Sequence, residues 1–532
     1  TALLCAASTV GAAAASQLPP KKHSNIERLA LPRLKAVHDD VQRLKAQRAT
    51  VAPRPGWNDY RCILHAHAED STQTGGTLPE MLADAKRVGV NAILLTDHFR
   101  PPKDFIDGRW RGMKEGVLFV PGSEIRGFLI YPMASILGQM EQPGPEFIKT
   151  VTAGEGMIFL SHIEERSEHP VDGLTGLEIY NRHLDAKKDM VSLLTLAFKF
   201  TDPKELAELV EAARLYPAEL LAFQCDYPQV YVDKWDAGTR LRRLTGVAAN
   251  DCHHNQIFIV KMVDADTVLL GTNVDEDKKM RKLTAALRPG IRELTRGRQP
   301  GDVLARLDMD PYHRSFMNVS THVFAPKLDE AAIRAALKAG QAYVAHDWMC
   351  DPTGFEFSAA AANGQRAASM GDEVKLAAGL KLTARLPVPA YVRLLRHGEE
   401  VAKAEGQADF GFAVKEPGVY RLEAWLKLDD ELRPWMRREF GWPLVELGNI
   451  RLRKGDLAGA EEAFVAAHGH AWSPHPGFAL LRLEEGDVVG ASSLIADAIQ
   501  HPFDIPSKER PPFGDLRLAP LFEAQAPIAA AA

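Results

Sequence analysis

The chain has 532 residues, with 64 Lys and Arg against 70 Asp and Glu, a net charge of −6 and 46% hydrophobic residues. This is more chain than one hydrophobic core holds, and a composition near the globular average excludes a disordered or collagen-like protein. The near-balanced charge gives no general attraction to nucleic acid, and five widely spaced cysteines (Cys5, Cys62, Cys225, Cys252, Cys350) without a CxxC pair argue against a disulfide scaffold or a structural zinc finger.

Residues 1–20 run apolar and then small, ending in an Ala-rich stretch before Gln17. They read as the remnant of a secretory signal, which implies export to the periplasm or beyond. The alternative is a flexible Ala-rich tail on a cytoplasmic protein. No other stretch approaches the roughly 18 to 20 apolar residues that span a bilayer. In the segment 21–57, Ile26, Leu29, Leu34, Val37, Val41 and Leu44 recur at spacings of three and four, which predicts one amphipathic helix from Ser24 to Arg48, ended by Pro53-Arg-Pro-Gly56.

Short apolar runs then alternate with helix-like stretches. The runs are Cys62–Leu64, Ala92–Leu95, Val117–Val120, Met157–Leu160, Leu177–Tyr180, Leu220–Phe223 and Leu244–Ala249, and the helices include Leu78–Val88 and Pro203–Leu215. The pattern predicts buried parallel strands in seven βα units, an α/β fold of closed or nearly closed barrel form. Residues 351–430 turn all-β, with strands expected at Val374–Leu382, Tyr391–Arg396, Phe410–Val414 and Tyr420–Leu426, which predicts a small β-sandwich. In 431–525, Leu452–Phe464 matches Leu483–Ile495 at an offset of 31, with Gly455/Gly486 and Ala460/Ala491 in register. This resembles helical tetratricopeptide-type repeats.

The chemistry lies just beyond the apolar runs. Eight of the 18 histidines fall between His65 and His254. The first run leads into His65-Ala-His67, the second into Thr96-Asp97-His98, the third into Pro121-Gly-Ser-Glu124, the fourth into Ser161-His162 and the last into Asp251-Cys252-His253. Parallel βα folds bring such strand ends to one face, so these side chains describe a metal site. Imidazole and carboxylate without thiolate suit Zn, Mn or Fe, and the donors outnumber the needs of one ion, so two or three divalent ions are expected. Multinuclear sites of this kind activate water, which makes hydrolysis the leading reaction.

This ordered set, across residues 58–350, resembles the PHP (polymerase and histidinol phosphatase) domain family. The stretch Pro311–Phe355, containing Tyr343-Val-Ala-His-Asp347, is similar to a subgroup with an appended sandwich domain. The resemblance implies a distorted (β/α)7 barrel whose metal cluster hydrolyses phosphate esters, with His65, His67, His98, Glu124, His162, Asp251 and His253 as ligands. The family has a further acid or histidine five or six residues after the first pair, where this chain has Thr72 and Gln73. Asp70 is the substitute, and the third ion depends on it. For the family's later histidine, His183 and Glu178 both stand as candidates. A hydroxide held by the cluster is the expected nucleophile, so Cys252 is given no such part. Arg126, Arg166 and Arg182 are candidates for gripping the substrate phosphate, and His254 for proton transfer.

The expected substrate is a small phosphorylated molecule or nucleotide. Nucleic acid as a polymer is disfavoured, because no Lys/Arg-rich stripe with interleaved aromatics occurs. Two other readings compete: an amidohydrolase-type metal hydrolase, which also begins with HxH, and a non-catalytic, metal-stabilised protein whose C-terminal domains bind a protein or glycan partner.

Overall fold

The computed structural model describes residues 18–51, 56–100, 103–239, 242–434, 475–500 and 519–531, with individual positions between 452 and 464. The chain divides into two compact units, residues 1–437 and 438–532. The expected signal remnant falls almost wholly outside the described residues, as does much of the first repeat.

The first unit begins with the helices Asn25–Arg28 and Leu31–Gln47. The single helix expected from periodicity is broken at Leu29 and Ala30, because Pro32 starts the second helix in its first turn, where a missing N–H costs nothing. Ser24 caps the first helix reciprocally with Glu27.

Ten strands follow: β1 (Asn58–Ile63), β2 (Ala92–Leu94), β3 (Asp97–His98), β4 (Gly112–Lys114), β5 (Val117–Val120), β6 (Ser123–Ile125), β7 (Phe128–Tyr131), β8 (Met157–Leu160), β9 (Gly176–Asn181) and β10 (Thr245–Ala249). An antiparallel insertion is built from β11 (Ile257–Asp264), β12 (Thr267–Thr272), β13 (Arg281–Thr284) and β14 (Val303–Asp308), after which β15 (Ser320–Ala325) and β16 (Ala342–Ala345) return to the main body. That body holds two six-stranded sheets, ordered β16-β15-β1-β2-β5-β4 and β10-β9-β8-β7-β6-β3. Strands β1, β2 and β5 are parallel, as are β8, β9 and β10, whereas β4, β7, β15 and β16 run antiparallel to their neighbours. The chain passes between the sheets at two short breaks, from β2 to β3 and from β5 to β6. A parallel bridge from Ala66 to Cys252, and a hydrogen bond from Ala248 N to Thr321 Oγ1 (2.9 Å), tie the end of β10 to the other sheet. The result is a mixed α/β body in which several strand ends face one space.

Six of the seven expected runs form strands. Leu220–Phe223 does not: Leu220 and Leu221 end the helix Pro217–Leu221, and Leu220 and Phe223 are buried beside Leu34, Leu206 and Leu209. A short apolar run has the same pattern in a buried helix as in a buried strand, so only its neighbours decide.

The all-β part comprises β17 (Glu356–Ala360), β18 (Arg366–Ser369), β19 (Lys381–Arg396), β20 (Glu399–Ala413), β21 (Tyr420–Leu428) and β22 (Glu431–Pro434). The long strand β19 pairs with β17 through 381–385 and with β21 through 391–396, and β20 lies on its other side. Pro387 and Pro389 fall between the two halves, where the pairing with β20 shifts and the strand loses ladder donors. The strand expected from Val374 begins only at Lys381, and Val374 and Leu376 are exposed. Leu386, Val388, Val392, Leu394 and Leu426 form one core with Val37, Val41 and Leu44 of the second helix and with Trp348 and Met349. The sheet domain is therefore packed onto the main body rather than hung from it.

In the second unit the helices Gly477–Glu484, Val488–Gln500 and Ala519–Ala531 are described. Gly486 turns between the first two at φ 83°, and Gly455 has φ 76° at the matching place in the repeat. Ala460 and Ala491, also in register, are both fully buried. No helix among the described residues is long and apolar enough to cross a membrane.

Candidate metal centre

The HxH pair leaves the end of β1 under tight backbone control. Thr96 Oγ1 accepts from Ala66 N (3.0 Å) and donates to Ala66 O (3.2 Å), while His67 N donates to Cys252 O (3.1 Å). Tyr312 Oη donates to the His67 carbonyl. His98 and Glu124 lie opposite one another in the parallel pair β3–β6. His162 and Asp251 follow β8 and β10 in the left-handed region, at φ 47° and 48°. That conformation costs a non-glycine residue on the order of 1 kcal/mol or more, and such strain gathers at functional sites.

These residues converge. His162 Nε2 lies 3.0 Å from Glu124 Oε1 and 3.7 Å from Asp251 Oδ2. His65 Nε2 is 3.6 Å from Glu124 and 3.4 Å from Asp251, His67 Nε2 is 3.8 Å and 3.5 Å from the same two carboxylates, and His98 Nε2 is 3.5 Å from Glu124. His253 stacks on His67 with ring centroids 4.0 Å apart. The donors fall into four overlapping groups: His67, His98 and His253; His65, His67 and Glu124; His65, His162 and Asp251; and His162, Glu164 and His183, with the donor atoms of each group within 4.8 Å of one another. All seven residues named as ligands from strand ends are brought together.

The outer nitrogens are held by carboxylates. His65 Nδ1 donates to Glu178 Oε1 (2.7 Å), and Glu178 Oε2 accepts from His162 N (2.9 Å) and Asn181 Nδ2 (3.1 Å). Asp70 Oδ2 accepts from His67 Nδ1 (3.0 Å), His98 Nδ1 (2.7 Å) and His98 N (2.8 Å), and its Oδ1 accepts from Thr74. Glu164 Oε1 faces His162 Nδ1 at 3.3 Å. Each carboxylate fixes a ring so that the other nitrogen faces inward, the usual means of orienting a histidine ligand. Asp70, expected as a ligand in its own right, thus sits behind two histidines and outside the four donor groups. Glu178 likewise backs His65, whereas His183 joins His162 and Glu164.

A divalent ion fits this arrangement. His65 Nε2, His67 Nε2 and His183 Nδ1 are buried nitrogens without a hydrogen-bond partner, and the donor set is imidazole nitrogen and carboxylate oxygen. Burial alone would depress His65, yet the Asp251 and Glu124 carboxylates hold it up to about 10, and carboxylates likewise raise His162 to about 12. The same negative field attracts a metal cation. His253 goes the other way, lowered to about 3 by burial and by the neighbouring His67, so it is a neutral imidazole ready to ligate. Burial pushes the Cys252 thiol well up, and it remains protonated.

The remaining candidates have partners of their own. Arg126 Nη1 donates to Gln142 O (2.7 Å), and its guanidinium lies 4.7 Å from the Phe147 ring centroid. Arg166 Nη1 lies 3.3 Å from Glu165 Oε2 and 3.5 Å from His162 O. Arg182 Nη2 donates to Gln256 Oε1 (3.2 Å). His254 turns away at φ 49° to place Nε2 3.1 Å from Asp308 Oδ2. Sequence reasoning missed Glu164, although it stands only two residues after His162, and Tyr231, whose hydroxyl donates to Glu164 Oε2. A second buried cluster also went unread: His322 lies between Asp59 (2.8 Å) and Asp347 (3.0 Å), with Arg61 Nε 2.8 Å from Asp347.

No family model matches the chain, and no curated protein sequence does. Among solved structures it is similar to a two-domain protein from Bacteroides vulgatus ATCC 8482 containing a predicted PHP-like metal-dependent phosphoesterase, at 14% identity, over 73% of this chain and 97% of that one, with a TM-score of 0.28.

Proposed function

We propose that this chain is a metal-dependent phosphoesterase of the PHP type, acting on a phosphate ester of a small molecule or nucleotide. One observation carries the reading: imidazoles from several strand ends direct nitrogens at the shared carboxylates Glu124 and Asp251, with carboxylates behind four of the rings. Two divalent ions (Zn, Mn or Fe) would be held by His65, His67, His98, Glu124, His162, Asp251 and His253, and His162, Glu164 and His183 offer a third position.

When bound, such ions polarise a phosphoryl oxygen and activate water for attack on phosphorus. The chain's own residues do the rest. Glu178, Asp70 and Glu164 keep the rings oriented, and burial of His65 and His67 excludes bulk water from their side of the site, which strengthens every electrostatic interaction within it. Substrate phosphate would enter on the more open side, where His98, Glu124 and His183 are partly exposed.

The test is metal analysis of the purified chain together with turnover on a panel of phosphate mono- and diesters. Replacing His65 and His67 with Ala should remove bound metal and turnover together, by at least about a thousandfold in kcat/KM. Undiminished phosphoesterase activity in that double variant would sink the assignment. Turnover of amides or lactones in place of phosphate esters would favour the amidohydrolase reading, and bound metal without turnover on any ester would favour a binding protein.

A further inference from the structure

Tyr231 lies fully buried in the helix Gln229–Thr239, and its hydroxyl donates to Glu164 Oε2. With that oxygen occupied, Glu164 turns Oε1 toward His162 Nδ1 (3.3 Å) and Lys187 Nζ (3.5 Å), which sets the ring whose Nε2 reaches Glu124.

The same helix is gripped from the other side by the appended sheet domain. Arg421 on β21 makes a two-point contact with Asp236, Nε to Oδ1 at 3.0 Å and Nη2 to Oδ2 at 2.7 Å, and its guanidinium lies 5.8 Å from the Trp235 ring. Glu423 on the same strand accepts from Arg421 and from Tyr227, just before the helix. Asp236 is five residues after Tyr231, about 1.4 helical turns, so holding it holds the helix segment that carries the tyrosine.

We infer that the β17–β22 domain positions the metal centre through the helix Gln229–Thr239, with Tyr231 as the positioning residue that orients Glu164 against His162 and His183. The inference rests on the metal-centre reading above and assigns the sheet domain a part in it. Loss of the tyrosine hydroxyl frees Glu164 Oε2, lets the carboxylate rotate, and loosens the position at which His162, Glu164 and His183 meet. His65, His67 and His98 have their own supports in Glu178 and Asp70.

Calorimetric titration of metal-stripped full-length protein with Zn²⁺ or Mn²⁺ tests this. Tyr231→Phe keeps the ring packing, and it should weaken the equivalent that depends on His162 about tenfold or more while the equivalent held by His67, His98 and His253 stays as in the unaltered chain. Glu164→Gln should weaken the same equivalent, and the double variant should lose no more than either single one. Asp236→Asn, outside the donor groups, should produce a smaller loss in the same equivalent. A Tyr231→Phe titration identical to that of the unaltered chain overturns the positioning role, and an Asp236→Asn titration without effect overturns the part given to the sheet domain. Should Tyr231→Phe fail to fold, Glu164→Gln and Asp236→Asn decide. Failure of the unaltered chain to bind any divalent ion is a different result, because it removes the metal reading itself.

Discussion

Glu178 Oε1 accepts from His65 Nδ1 at 2.7 Å across 113 residues of sequence, and both side chains are fully buried. The pair joins the end of β1 to the middle of β9 and determines which nitrogen of His65 faces Glu124 and Asp251.

Glu178→Gln should therefore act on metal affinity before it acts on fold. The amide still accepts from His65 through its oxygen, but it removes the negative charge that raises the basicity of the ring. Affinity for the ions shared by His65 should fall about 10- to 100-fold. Retention of metal during dialysis against a graded chelator series checks this, with circular dichroism to show an unchanged fold. Equal retention in variant and unaltered chain would refute the supporting role.

Asp70 serves two imidazoles and one backbone amide at once, so its removal should be more damaging than that of Glu178. Asp70→Ala leaves His67 Nδ1 and the His98 backbone N–H without their acceptor in a buried place, at a cost of roughly 2–4 kcal/mol. Asp70→Asn keeps an acceptor and should lose less stability, yet still weaken the ion held by His67, His98 and His253. Denaturant unfolding of metal-free protein separates the stability term from metal affinity. If Asp70→Ala unfolds at the same denaturant concentration as the parent, the four hydrogen bonds that Asp70 accepts do not carry the weight given to them.

His322 supplies a pH dependence away from the metal centre. Burial opposes its charge, but Asp59 and Asp347 on either side raise it to about 9. A group raised on folding stabilises the folded state fully below its unfolded value, near 6.5, and loses that contribution as pH rises through the folded value. The share of stability that His322 contributes should accordingly be lost between about pH 6.5 and pH 9, by up to roughly 3 kcal/mol, beside a loss in the same direction from the raised His65 and His162 of the metal-free chain. Urea unfolding across that range checks it. His322→Gln should make the slope shallower, and a slope that survives the substitution unchanged would assign the whole effect to other groups.

The strand-end ligands were legible because their signal is local. Each of His65, His67, His98, Glu124, His162, Asp251 and His253 follows an apolar run that forms a strand, and parallel strands deliver such positions to a common face. The helix boundaries Leu78–Val88 and Pro203–Leu215 were legible for the same reason, with proline in the first turn of each and Thr77 and Asp202 as caps. Leu220–Phe223 shows the limit of this kind of reading, since four apolar residues carry no periodicity that tells a helix from a strand.

By itself, then, the sequence determined most of the strands that carry the site and the order of the imidazole and carboxylate donors along the chain. Only the tertiary structure decided which nitrogen of each ring faces inward, that Asp70 and Glu178 stand behind histidines, that Glu164 joins His162 and His183, and that His254 leaves its neighbour for Asp308. The reason is physical. Strand and helix patterns arise from neighbours along the chain, whereas an imidazole's orientation depends on a carboxylate that arrives from as far as 113 residues away, and on the sign of a single φ angle that sends His253 toward the cluster and His254 out of it.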